Sequence, residues 1–246
     1  MRGRAAVDLE GLERLLVRFS LLVAEQRWIK EVDINPLLVS TNQLFALDAR
    51  IVLHNPEIGE ANLPRLAIRP YPQQYVSTWK LKDGSPILIR PIWPEDEPMM
   101  VKFHGTLSED SVHFRYFGLL KLEQRVAHDR LVRMCFNDYD REIAIIAVRK
   151  EEKTKEDQII GVGRLIKVHG VNDAEFAIVL SDQWQAHGLG THFLKLLLEI
   201  GRQEGVEHVI GQILPDNYGM QRICKNLGFA MSYDQLAEIV EAKIKL

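Results

Sequence analysis

Cysteine is scarce. Cys135 and Cys224 are the two thiols in 246 residues, too few for the disulfide framework of a small secreted scaffold. Long apolar runs are also missing: Ile143–Val148 and Phe176–Leu180 fall far short of the ~20 residues that cross a bilayer. No transmembrane segment is expected. Nor is there a basic excess. With 31 Lys and Arg against 34 Asp and Glu, the net charge is −3, and the cationic surface that phosphate backbones require is lacking. The N-terminus carries Arg2 and Arg4 but continues as an acidic helical pattern instead of an apolar core with a cleavage site, so it does not read as a signal peptide. Together these absences point to the cytoplasm and argue against nucleic-acid and membrane partners. No His, Cys and Asp spacing resembles a zinc site.

What is present is an ordinary globular composition, 46% hydrophobic and 26% charged, long enough for one large domain or two smaller ones. Leu9, Leu12, Leu16, Phe19 and Val23 recur at three- and four-residue spacing, which predicts an amphipathic helix over 8–25. Two apolar runs, 32–39 and 44–52, read as a strand pair bridged by 40–43. Pro56, Pro64, Pro70 and Pro72 then mark an extended linker. Beyond it, strands are expected near 86–91, 142–149, 158–168, 173–181, 208–214 and 230–243, the last broken by a turn. Helices are expected near 95–106, 109–117, 122–134, 189–204 and 217–227. The mixed-sign run 149–157 reads as a solvated hairpin loop. Strands and helices in this order imply an α+β sandwich around one mixed sheet.

The segment Gln185-Ala-His187-Gly188-Leu189-Gly190-Thr191 lies between the apolar run ending at Leu180 and a helical pattern. A strand, a glycine-bearing turn and a helix N-terminus present free backbone N–H groups and a positive dipole end to an anion. The glycines let a phosphate approach the backbone, and Gln185 offers a side-chain donor. Further on, Asn217-Tyr-Gly-Met220-Gln-Arg-Ile-Cys224-Lys-Asn-Leu-Gly228 reads as a short helix with an Asn cap and a Gly stop.

In their order and separation these two segments resemble the acyl-CoA-binding core of the GNAT acetyltransferase superfamily. Arg90-Pro-Ile-Trp-Pro-Glu95-Asp96, Leu107-Ser-Glu-Asp-Ser-Val-His-Phe-Arg115-Tyr-Phe117 and Asp138-Tyr-Asp-Arg-Glu-Ile-Ala144 resemble, more specifically, the bacterial protein lysine acetyltransferases, which carry this domain behind an idle acyl-CoA synthetase region. The likeness implies a GNAT-type mixed sheet sandwiched by helices over 80–246, after a linker at 56–79. Residues 1–55 carry a likeness of their own. Glu31-Val-Asp33-Ile-Asn35-Pro36 and Ala46-Leu-Asp48-Ala-Arg50 resemble the C-terminal end of the ATP-grasp domain in NDP-forming acyl-CoA synthetases. There the matching Asn35 and Asp48 help hold Mg²⁺ beside nucleotide phosphates; without the rest of that domain they read here as a turn residue and a strand-edge carboxylate, and no metal site is expected.

The GNAT resemblance implies acetyl-CoA as co-substrate. Backbone amides of His187, Gly188, Leu189, Gly190 and Thr191 would hold its pyrophosphate, Ile178, Val179 and Leu180 would pair with the pantetheine arm as an added strand, and Gln185 and Asn217 would complete the site. Glu175, the acidic residue of an otherwise apolar strand, would be the catalytic base. Many GNAT enzymes place a proton-donating tyrosine seven residues after the Asn cap; Cys224 stands there, so it is a candidate acid and otherwise a packing residue. The implied acceptor is a protein lysine, with an acyl-CoA synthetase as the natural protein partner. Two alternatives stay open: a small-molecule amine as acceptor, or an acetyl-CoA-sensing subunit that docks on synthetase chains through residues 1–60. A homo-oligomer or a missing synthetase-like region are the other partners considered.

Overall fold

In the computed structural model, residues 8–40, 43–64, 69–151 and 154–246 are described. The first seven residues and parts of three expected connectors, at 41–42, 65–68 and 152–153, lie outside them. The chain forms two compact units, Met1–Pro70 and Tyr71–Leu246.

The first unit opens with α1 (Leu9–Glu25), capped by Asp8, whose carboxylate accepts from the Gly11 N–H at 2.8 Å. Four short strands follow: β1 (Ile29–Ile34), β2 (Leu37–Val39), β3 (Leu44–Ala46) and β4 (Ala49–Leu53). β1 pairs antiparallel with β4, and β2 with β3. The expected single hairpin is therefore interrupted, because Pro36 has no N–H for a ladder and Leu47 and Asp48 interrupt the opposite strand. The Asn35 N–H to the Asp48 carbonyl, 3.2 Å, and the Leu47 N–H to the Pro36 carbonyl, 3.1 Å, close the gap. Asn35 and Asp48 thus meet through backbone, and both are exposed. No cluster of metal-ligating side chains occurs among the described residues.

The second unit is built on an eight-stranded sheet. Its elements are β5 (Ser77–Lys80), β6 (Pro86–Pro91), α2 (Glu97–Gly105), α3 (Glu109–Tyr116), α4 (Leu122–Arg125), α5 (His128–Cys135), β7 (Glu142–Lys150), β8 (Asp157–Lys167), β9 (Asp173–Leu180), α6 (Leu189–Gln203), β10 (His208–Ile213), α7 (Tyr218–Asn226), β11 (Ala230–Asp234) and β12 (Ile239–Lys245). Strand order is β11-β12-β10-β9-β8-β7-β6-β5, and every neighbouring pair is antiparallel except β9 with β10. This is the expected α+β architecture with a mixed sheet between helices.

Two differences from expectation have local causes. Residues 122–134 form two helices, because Ala127 is extended at ψ 131° and caps α5. Residues 71–79, assigned above to the linker, belong to the sheet unit: Tyr75 is buried in its core and β5 hydrogen-bonds to β6. Four residues of β5 are too short a run to show period-two patterning.

The sheet is apolar on both faces, which is why its central strands read as continuous hydrophobic runs. One face packs on α6 through Phe193, Leu194, Leu197 and Leu198, the other on α2 and α5 through Met100, Phe103, Leu131 and Cys135. Gly211 on β10 is there because the Phe176 ring passes over it: a Cβ would lie 2.2 Å from Phe176 Cε1. Phe176 is itself wedged edge-on against Phe229, with centroids 5.7 Å apart. Gly211→Ala is expected to lower stability by roughly 1–3 kcal/mol, the ordinary result of overpacking a tight core, read as a lower urea midpoint.

Candidate active site

The site begins where two strands part. β9 keeps its ladder with β8 from Ala174 to Leu180, but pairs with β10 only at Asp173–Glu175. From Phe176 to Leu180 the other edge of β9 carries no ladder among the described residues. Edge N–H and C=O groups left this way accept an added strand. α7 flanks the opening, with Asn217 as its cap, the side-chain oxygen accepting from the Met220 N–H at 3.1 Å. The resulting groove encloses about 770 Å³, within the range of roughly 300–1,000 Å³ typical of ligand clefts.

At one end the groove meets the turn into α6. Gly188 is its N-cap in the left-handed region, φ 87°, and no side chain caps the helix. The first-turn amides of Leu189, Gly190 and Thr191 consequently have no intrahelical acceptor. Ala186 is left-handed as well, at φ 60°, a conformation that costs a residue with a Cβ about 1 kcal/mol. Lys82, from the hairpin between β5 and β6, donates to the Ala186 carbonyl at 3.0 Å, and Trp79 stacks on His192 with centroids 4.4 Å apart. The turn is held from outside its own motif.

A second set of bonds ties the turn to α3. Asp182 accepts from the Ser108 N–H at 2.8 Å, the Ser108 hydroxyl at 2.5 Å and the Ser111 hydroxyl at 2.9 Å. Burial pushes the Asp182 carboxyl up, but these donors outweigh it and hold it below the usual carboxylate range. Gln185, expected to face phosphate, donates its amide to the Ser111 hydroxyl at 2.8 Å. Its side chain serves the α3 junction, although it still borders the groove.

Of the residues named from sequence, Ile178, Val179, Leu180, Gln185, Gly188, Gly190, Thr191 and Asn217 all line this groove. Leu189 and His187 do not figure in its walls. Leu189 is fully buried in the core, while His187 shapes the turn with Nδ1 2.6 Å from the Gln185 carbonyl. Glu175 is half-buried and also absent from the groove wall. It lies two strand pairs before Val179, on the same face of β9, and its charge acts on Arg115 of α3. Cys224 gives a correction. Its thiol is fully buried in the core behind α7, away from the groove, and burial pushes its pKa up to about 12. It packs and does not meet a thiolate.

Sequence reading missed Lys82, Ser108, Ser111, Phe114, Arg115, Met220, Arg222 and Ile223, which also line the groove. Ser108 was legible as a helix cap before Glu109 and Asp110, but nothing local marks a hairpin lysine as a neighbour of residues 100 positions later.

The family model of the acetyltransferase (GNAT) domain matches residues 87–230, and that of the ATP-grasp domain matches residues 1–53. An acetyltransferase of Pseudomonas aeruginosa is 27% identical over 154 residues, 63% of this chain and 80% of its own. The beta subunit of an ADP-forming acetate–CoA ligase from Pyrococcus furiosus is 38% identical over 52 residues, 21% of this chain and 22% of its own. Among solved structures, the GNAT domain of S. lividans PAT aligns over 72% of this chain and 100% of its own with a TM-score of 0.64 at 20% identity, a likeness of fold. Other proteins of this fold were solved with coenzyme A or CoA-disulfide bound. A groove with a free strand edge beside uncapped helix amides suits the pantetheine arm and pyrophosphate of such a ligand. With more than half of its length inside the domain model, the chain belongs to the GNAT acetyltransferases, an acyltransferase family whose co-substrate is acetyl-CoA.

Proposed function

We propose that this chain transfers the acetyl group of acetyl-CoA to the side-chain amine of a protein lysine, with residues 80–246 as the catalytic domain and 1–55 as an ATP-grasp segment before it. The observation that carries the reading is the free edge of β9 beside the open amides of α6, with a carboxylate farther back on the same strand. Pyrophosphate sits on the backbone of 187–191 and pantetheine along 178–180. Backbone N–H groups of that edge stabilise the carbonyl oxygen as charge builds.

A lysine with a reference pKa near ~10.4 arrives protonated. Glu175, through water, takes one proton; the free amine attacks the thioester carbon; the C–S bond breaks as the C–N bond forms. The second proton of the attacking nitrogen is lost to water at the groove mouth, and the leaving thiolate takes its proton from that water. The likeness of residues 1–53 to the ATP-grasp domain, and to an acetate–CoA ligase subunit, supports an acyl-CoA synthetase as the protein acceptor.

The test is release of CoA thiol from acetyl-CoA with a purified acyl-CoA synthetase, polyamines and amino acids as parallel acceptors. Release with the protein supports the reading; release with small amines alone moves the acceptor to metabolites. The cofactor half of the proposal has its own check. Gly188→Ala forces a Cβ residue to φ 87° at a cost of about 1–2 kcal/mol. If cofactor binding bears that strain, the KM for acetyl-CoA rises about tenfold in initial-rate measurements, with acceptor KM unchanged.

A further inference from the structure

A buried polar recess lies against the opposite side of β9 from the α6 core. His104 of α2 is fully buried, and neither of its ring nitrogens has a hydrogen-bond partner. With Arg115, Tyr116 and Arg164 it lines a recess of about 10 Å³, room for one water-sized atom. Burial, reinforced by the charges of Arg125, Arg130 and Arg115, lowers the His104 pKa to about 4. The ring is therefore neutral, with one donor and one acceptor to place.

In a chain with more acids than bases, four arginines gather here, and their partners differ. Arg164 pairs with Glu142. Arg125 donates to the carbonyls of Leu120 and His104, at 3.1 and 2.9 Å. Arg115 and Arg130 make no ion pair among the described residues; each guanidinium lies near the Tyr116 ring, at 5.2 and 5.1 Å from its centroid, and Arg130 Nε is buried without an acceptor. Glu175 is close enough to favour the charged form of Arg115 but makes no ion pair with it. Arg130 Nε and the two ring nitrogens of His104 are thus desolvated and unsatisfied, a costly state. Arg115 and Val179 line both this recess and the main groove, so the two adjoin at the wall facing α3.

We infer that the mouth of this recess, where Arg115 and Val179 also line the main groove, receives a carboxylate carried by the acetyl acceptor, gripped by the Arg115 fork and with one oxygen turned inward to the His104 ring as a second donor. A guanidinium fork matches a planar carboxylate in two parallel bonds, and the recess beyond Arg115 has space for a single inward oxygen. The inference rests on the acetyl-transfer reading of the groove and narrows its acceptor. A carboxylate in this place comes either from an acidic side chain close to the target lysine or from the α-carboxylate of a free amino acid.

Matched acceptor pairs separate these sources: blocked lysyl peptides with Glu or Gln beside the lysine, and lysine against lysinamide. With wild-type enzyme, the carboxylate member of one pair has a KM at least about tenfold lower. In Arg115→Gln that ratio falls to about one, whatever the KM for acetyl-CoA, and Arg115→Lys restores part of it. A preference confined to lysine over lysinamide leaves the inference standing and counts against a protein acceptor. A readout without turnover covers the case of no acceptor being used: the His104 ring resonances, identified with His104→Gln, are followed as glutarate is added. Saturable shifts in wild type that vanish in Arg115→Gln, whose thermal midpoint shows it folded, support the site. Equal KM values within both pairs, or His104 signals unmoved by tens of millimolar glutarate where no acceptor turns over, overturn it.

Discussion

Glu175→Gln is expected to lower kcat by roughly 10²–10⁴-fold, the usual contribution of a positioned general base, while acetyl-CoA binds as in wild type. The two effects separate because Glu175 sits on β9 before the free edge of 176–180 and outside the walls of the cofactor groove. The amide keeps the shape of the carboxylate and removes its basicity. The pH dependence sharpens the test. Below the amine pKa of ~10.4 the fraction of unprotonated lysine grows about tenfold per pH unit, so the deficit of the variant shrinks as pH rises. Initial rates from neutral to alkaline pH, with acetyl-CoA affinity measured by titration, check both halves. A kcat within about threefold of wild type at neutral pH would remove Glu175 from the chemistry.

Asp96→Ala is expected to destabilise the second unit by about 3–5 kcal/mol, the usual result of stripping one partner from a buried ion pair. Asp96 and Arg90 are almost entirely buried and meet through two bonds, 2.6 and 2.7 Å. Asp96 also accepts from the Trp93 N–H at 2.7 Å, and the Arg90 guanidinium lies 3.7 Å from the centre of the Trp93 ring. The cluster pins the start of α2 to β6, and α2 carries Met100, Phe103 and His104 into the sheet. Loss of Asp96 leaves a buried guanidinium unpaired. Against a total stability of about 5–15 kcal/mol, this brings the unit close to unfolding. Urea denaturation followed by tryptophan fluorescence measures it. Arg90→Met with Asp96→Leu should recover most of the loss, since an apolar pair has no charge to desolvate; an equal loss in the double variant would assign the effect to packing.

The sequence was most informative where chemistry is local. Gly188 and Gly190 announced the turn because a left-handed cap and open amides need no distant partner, and Asn217 announced α7 because a cap bonds three residues ahead. The apolar run within 173–180 and the apolar spacing in 189–203 placed β9 and α6 to within a residue or two. What was hidden depends on contacts far apart in the chain. Gln185 looked free for phosphate until Ser111 arrived with α3. Cys224 sat at a suggestive spacing, and only the packing of α7 shows that its thiol faces the core. The separation of β9 from β10 after Glu175, which opens the groove, is a property of two strands together. The four arginines around His104 come from α3, α4, α5 and β8, and no window of sequence holds them all.

The most direct test of the account is to incubate the chain with acetyl-CoA and a purified acyl-CoA synthetase, beside Glu175→Gln, and to map acetyl groups by peptide mass spectrometry. The account predicts an acetyl group on a lysine side chain of the synthetase that accumulates with wild type and is nearly absent with the variant. Acetyl groups found only on small amines, or on the synthetase equally with wild type, variant and no enzyme, would contradict it.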